Sequence, residues 1–260
     1  MSYVLRYSTL VLALSFVVLW IAVHVGLFFR KRRHSLEENE REDFGTIMTA
    51  ILTLLGLIIG FSFSMAIYRY DQRKVLEEAE ANAIGTEWVR ADFLPAANAE
   101  KVRALLREYL EQRLLYYKTR DDQELTRIES ATAELEGELW SAVQVPTAAQ
   151  PTAPLTITAM GMNDVLNSRG YTQAAWLNRI PAAAWCLMAA IAIFCNFLIG
   201  YGARRGGART TLLLVLPLVI AISFTLIADI DSPRGGVVRV SAENLTSLAR
   251  SLHAGNTERP

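Results

Sequence analysis

The sequence predicts an all-α integral membrane protein, with four transmembrane helices in two hairpins and a helical extramembrane domain between them. Three observations carry this. Four windows, 8–29, 46–68, 182–202 and 210–230, are almost free of charge, although the chain holds 26 Lys plus Arg and 26 Asp plus Glu. Each window runs to about 20 residues, which at about 1.5 Å per residue reaches across a hydrocarbon core of about 30 Å. The stretch between the second and third windows, 69–181, is instead dense in charge, with 13 Lys or Arg against 17 Asp or Glu. A soluble fold can bury one such apolar window; four in 260 residues exceed what its core can hold. The overall charge balance gives no electrostatic footprint for a nucleic-acid partner.

The first window, TLVLALSFVVLWIAVHVGLFF, has His24 as its only ionisable group. It is long for a signal-peptide core, RKRR follows it directly, and no small-residue cleavage site stands out, so it reads as an uncleaved span. The linker 30–45 is too short for a domain, and ARRGGAR at 203–209 is a tight turn. Each pair of windows is therefore a hairpin, and both hairpin turns fall on one side. Trp185, one turn into the third window, suits an interface anchor, whereas Trp20 lies deep enough to be a packing residue. Cys186 and Cys195 sit inside the third window and read as packing residues. Asn196 is the strongest polar group in that window, and its amide is expected to bond a neighbouring helix. Pro217 loosens the ladder of the fourth span.

These features divide the chain into a first hairpin (1–68), a helical domain (69–181), a second hairpin (182–230) and a C-terminal tail (231–260). No Pro or Gly lies between Phe61 and Ile84, so the second span is expected to run on into the domain until Pro95 stops it. A helix over about 98–118 carries the stripe Val102, Leu105, Leu106, Tyr109, Leu110, Leu114 and Tyr117. Another over about 121–144 carries a heptad-like seam, Leu125, Ile128, Thr132, Leu135, Leu139 and Ala142. PTAAQPTAP, 146–154, reads as a loop, and a last helix, 155–179, leads to Pro181 with Gly161 and Gly170 as weak points. The domain is thus a small antiparallel bundle.

The second span has the most informative face. Thr49, Thr53, Gly56, Gly60 and Ser64 recur every three or four residues as a small, weakly polar stripe. Gly56 and Gly60 form a GxxxG pair that lets helices approach closely in lipid. The same stripe could line a pore built from several copies of the helix, with Phe61 and Phe63 as an apolar constriction at its exit. Both readings stand. The three histidines are scattered, no phosphate loop, nucleophile elbow or CxxC is present, and acidic pairs such as Glu77 and Glu78 read as solvated helix ends. The chain is accordingly not read as an enzyme, and no cofactor or metal is expected. In the tail, Asp229 and Asp231 stand at the membrane exit before the turn SPRGG, with Pro233 and Gly235, followed by an extended run VVRVS. Two carboxylates are too few to fix calcium alone. Ser241 and Glu243 look like the cap of a final helix that folds back onto the middle domain.

Three stretches carry a family resemblance: LLGLIIGFSFSMAIYRYDQRKVLEEAEANAIGTEWVRADFLP with VRALLREYLEQRL, NRIPAAAW, and DIDSPRGGVVRVSAENL. They resemble the bestrophin-like membrane proteins once catalogued as a domain of unknown function. The resemblance implies a distant relation to bestrophins, which are pentameric anion channels with four spans per subunit and the second span around the pore. It places Gly60 and Phe61 at the family's Gly-Phe step near an apolar neck. It sets Pro233, Arg234 and Gly235 where bestrophins have Pro-Phe-Gly, and the clustered acids of calcium-regulated members are missing. What it implies here is a homo-oligomer in the lipid bilayer of a cell membrane, the inner membrane in a bacterium, passing small ions. A sensor or scaffold whose middle bundle docks a partner through the Leu125–Leu139 seam is the alternative. Lys and Arg near the span ends tie at eight on each side. RKRR argues for cytoplasmic hairpin turns, while the resemblance implies a cytoplasmic middle domain and termini.

Overall fold

The computed structural model describes residues 8–31, 38–203 and 212–257, and these fold into helices without strands. Residues 32–37 of the first linker, and ARRGGAR beyond Ala203, lie outside the described residues. The chain forms two compact units, Met1–Tyr70 with Arg179–Arg239, and Asp71–Asn178 with Val240–Pro260.

The first unit contains α1 (Ser8–Lys31), the N-terminal part of α2 (Glu38–Arg90), α6 (Ala182–Gly202) and α7 (Val215–Asp231). The α6 bounds coincide with the third apolar window. α2 starts earlier than the second window because the acidic run before it is also helical. Three helices in the described residues are long and apolar enough to cross a membrane. The helix in the fourth window spans 17 residues, after a short 3-10 turn at Leu212–Leu214. The core gathers Leu19, Leu55, Ala66, Met188, Ala192, Cys195, Ile220 and Ile227. α1 packs against α6 and α7. Its crossing with α6 is close because two glycines meet backbone. A Cβ on Gly26 would run into the Phe197 carbonyl, and one on Gly200 into the carbonyl of Val23. Neither glycine is in the GxxxG pair.

The burial of the two tryptophans runs opposite to the expectation. Trp185 is buried, with its ring edge-on to Phe224 at 6.2 Å, because it faces α7. Trp20 is 40% exposed, because the buried face of α1 runs through Leu19, Ala22 and Val23 instead. Cys195 packs in the core, whereas Cys186 is exposed, and both thiols are free.

The second unit contains the end of α2, a 3-10 turn (Ala91–Phe93), α3 (Ala96–Lys118), α4 (Asp122–Ala149), α5 (Ala153–Leu177) and α8 (Glu243–Thr257). α4 lies against α3 and α5, and α8 against α3. The stripe and the second half of the seam face one core, where Val102, Leu106, Tyr109, Leu139 and Ala142 are buried with Ile84, Met162 and Leu245, while Ile128 and Leu125 pack in a second cluster with Tyr116 and Trp176. The seam thus contributes to internal packing, with Leu125 and Leu135 half-buried. The 146–154 loop shrinks to the segment between Ala149 and Ala153, because α4 runs on through Pro146. Proline there removes one N–H from the ladder. The Ala142 carbonyl, four residues back, instead receives the Asn98 amide at 3.5 Å.

Charge is buried here too. Arg113 pairs with Glu80, which also accepts from Tyr117 at 3.3 Å and Thr172 at 3.2 Å. Glu77 is buried, not solvated, and it caps α8: its carboxylate accepts the Leu245 N–H at 2.9 Å and the Asn244 amide at 2.7 Å. Ser241 does not cap this helix; its hydroxyl bonds the Glu243 carboxylate. The run VVRVS lacks strand structure.

Candidate functional site

At about 100° per residue, Thr49, Thr53, Gly56, Gly60 and Ser64 fall within an arc of roughly 80° on α2. Every one of them is exposed. Leu55, Ser62 and Ala66, on the opposite side of the helix, are the positions it buries. An ideal Cβ on Gly56 or Gly60 meets nothing within 4 Å, in contrast to Gly26 and Gly200. Among the described residues the GxxxG pair therefore packs against no other helix.

Phe61 is 64% exposed and lies about 100° around the helix from Gly60. Leu57, one turn earlier on the same side, is 53% exposed. The sequence reading missed Leu57, since a leucine in an apolar helix carries no signal of its own. Phe63 is separated from Phe61, because it lies on the far side of the stripe and is partly buried against the core. The hydroxyls differ in their hydrogen bonding. Thr49 donates to the Gly45 carbonyl at 2.9 Å and Thr53 to the Thr49 carbonyl at 2.8 Å. Their oxygens thus present lone pairs outward, while Ser64 makes no hydrogen bond among the described residues and keeps a proton to donate.

Asn196 is fully buried, but its amide nitrogen bonds the Ala192 carbonyl of its own helix at 2.8 Å rather than a neighbour. Its Oδ1 has no partner among the described residues. The acidic turn is more tightly built. Asp229 accepts the Val237 N–H at 3.0 Å and the Val238 N–H at 2.8 Å. Asp231 accepts the Ile180 N–H at 3.1 Å and faces the Arg69 guanidinium at 3.6 Å. Ser232 Oγ accepts the Gly235 N–H at 3.2 Å. The glycine the turn requires is Gly236, with φ of +79° and no room for a Cβ beside the Asp229 carboxylate. Both aspartates are thus engaged as backbone acceptors, tying the exit of α7 to the entry of α6 and to α2. No group of three or more His, Cys, Asp or Glu in metal-binding reach occurs among the described residues.

Outside the apolar stretch of α2, Glu87 is fully buried and neither carboxylate oxygen finds a hydrogen-bond donor among the described residues. Burial raises its pKa to about 8; the Arg90 charge opposes the rise and Asp164 adds to it. Glu87 and Arg90 fill the space where a Cβ of Gly161 would stand.

An all-helical chain with long apolar helices and a second, charge-rich helical unit defines a membrane protein. The Bestrophin-like domain matches residues 13–245, and the chain belongs to that family. Crystal structures of a bacterial bestrophin homologue from Klebsiella pneumoniae share its fold. One has 14% sequence identity and a TM-score of 0.65, covering 96% of this chain and 98% of that one. A point mutant of the homologue has 14% identity and a TM-score of 0.66, covering 97% of this chain and 99% of that one. No curated protein matches by sequence.

Proposed function

We propose that the chain assembles into a homo-oligomeric, ion channel-like membrane protein, a pentamer by its bestrophin resemblance, that passes small anions along an axis lined by α2. In this reading it has four spans in two hairpins. α7, at about 1.5 Å per residue, covers about 25 Å and is completed by the residues just before it. The domain boundaries near 68, 181 and 230 are the corresponding membrane exits. The observation that carries the proposal is the exposed α2 face: Thr49, Thr53, Gly56, Gly60 and Ser64 lie open while the glycines that pack helices are elsewhere.

Leu57 and Phe61 border that face as the apolar constriction. No charged side chain lies in α2 between Thr46 and Tyr68 to trap an ion or fix its sign. Anion preference follows the resemblance, helped by the Ser64 proton. In this reading the middle domain and both termini are cytoplasmic. Purified protein in planar bilayers tests the proposal. Wild type should conduct, and Phe61→Ala should raise conductance. Silence from both, with insertion and oligomerisation verified, would sink it.

A further inference from the structure

The second unit contains a cleft of about 620 Å³ where the end of α2, the start of α3 and α8 meet, lined among others by Trp88, Asp92, Glu100, Arg103, Arg107 and Leu252. Three sources of positive potential converge on it. The Arg107 guanidinium lies over the Trp88 ring, 4.7 Å from its centroid, and makes no hydrogen bond or ion pair among the described residues. Arg103, one turn earlier, lies 5.7 Å from the same centroid and pairs with Asp92, and its buried Nε is left without a partner. The 23-residue helix α3 begins at Ala96, on the cleft wall, behind Pro95, which gives no side-chain cap.

Two guanidiniums four residues apart repel each other, and Asp92 balances only one of them. Glu100, on the rim, is exposed and pairs with neither. The uncapped N–H groups at the start of α3 add the partial positive charge of a helix terminus. A single carboxylate would use one guanidinium fork. A phosphate group, with more acceptor oxygens and about two negative charges at neutral pH, matches two forks and a helix end together.

We propose that this cleft is a phosphate-binding site, with Arg107 and Arg103 as the clamp and Trp88 as the flat wall that holds them. The phosphate group belongs either to a soluble phosphate compound or to an anionic lipid headgroup. Binding is read by tryptophan fluorescence of the full chain, with Trp88→Phe assigning the signal, as inorganic pyrophosphate is titrated at constant ionic strength. A saturable change is expected, weakened roughly 10- to 100-fold in Arg107→Gln and recovered in part by Arg107→Lys. Thermal unfolding of Arg107→Gln should stay close to wild type, since the contact it loses is the partly exposed cation–π pair with Trp88, which is weak at such a site. Repeating the titration in nanodiscs with and without phosphatidic acid separates the sources. Loss of the pyrophosphate response only with phosphatidic acid identifies a lipid headgroup, and an unchanged response identifies a soluble ligand. No saturable change in wild type, or equal affinity in Arg107→Gln, overturns the site.

Discussion

Glycine-to-alanine substitution at four positions separates glycines that pack helices from glycines that line an open face. At Gly26 and Gly200 the added methyl collides with backbone of the partner helix, including the Tyr201 nitrogen at 2.8 Å from the Gly26 site. Backbone cannot rotate away as a side chain can, so α1 and α6 must part by about 1 Å, which forfeits a quarter to a half of the dispersion well along their contact. Overpacking of this kind costs about 1–3 kcal/mol, against which alanine returns about 1 kcal/mol of helix propensity. At Gly56 and Gly60 nothing stands within 4 Å, so only the propensity gain remains. Thermal unfolding followed by circular dichroism, in detergent that keeps the chain monomeric by light scattering, reads the difference. Gly26→Ala and Gly200→Ala should each lower Tm, and together by less than their sum, because both act on one crossing. Gly56→Ala and Gly60→Ala should leave Tm unchanged or raise it slightly. A loss at Gly56 as large as that at Gly200 would refute the reasoning, since the stripe would then be packed within the subunit.

Glu87→Gln tests the buried carboxyl. The folded pKa, near 8, lies above the ordinary value of 4.5, so the stability the neutral carboxyl supports is complete below pH 4.5 and is lost as pH rises through 8. The variant should match wild type near pH 5 and melt higher near pH 9; parallel Tm profiles across that range would contradict it. Asp229→Ala strands the Val237 and Val238 N–H groups and should cost about 1–3 kcal/mol. Gly236→Ala should be comparably damaging through its positive φ, whereas Gly235→Ala, with no such backbone demand, should be milder in the same denaturation assay.

Hydropathy alone located the helices of the first unit, since charge segregation has no other source in this chain. α2 and α6 show the reach of that signal: the sequence finds their apolar extents, but the acidic lead-in of α2 is helical by propensity, and hydropathy does not register it. Pro146 defeats a composition rule because a side chain outside the helix can serve the orphaned carbonyl. Partner choice was the least legible. A GxxxG spacing states that two helices can approach closely, not that they do within one chain, and the isolated Gly26 and Gly200 gave no spacing to notice. Glu77 looked solvated because its partners are 167 and 168 residues downstream.

That separation has a consequence for biosynthesis. Glu77 leaves the ribosome long before Asn244 and Leu245 are made, and at about 5–20 residues per second the delay is roughly ten to thirty seconds. Through that interval the site on α2 destined to hold the start of α8 is either hydrated or served by a temporary partner. The second unit can therefore close only late in translation, and a ribosome stalled before residue 240 would leave a nascent chain with its acidic latch open.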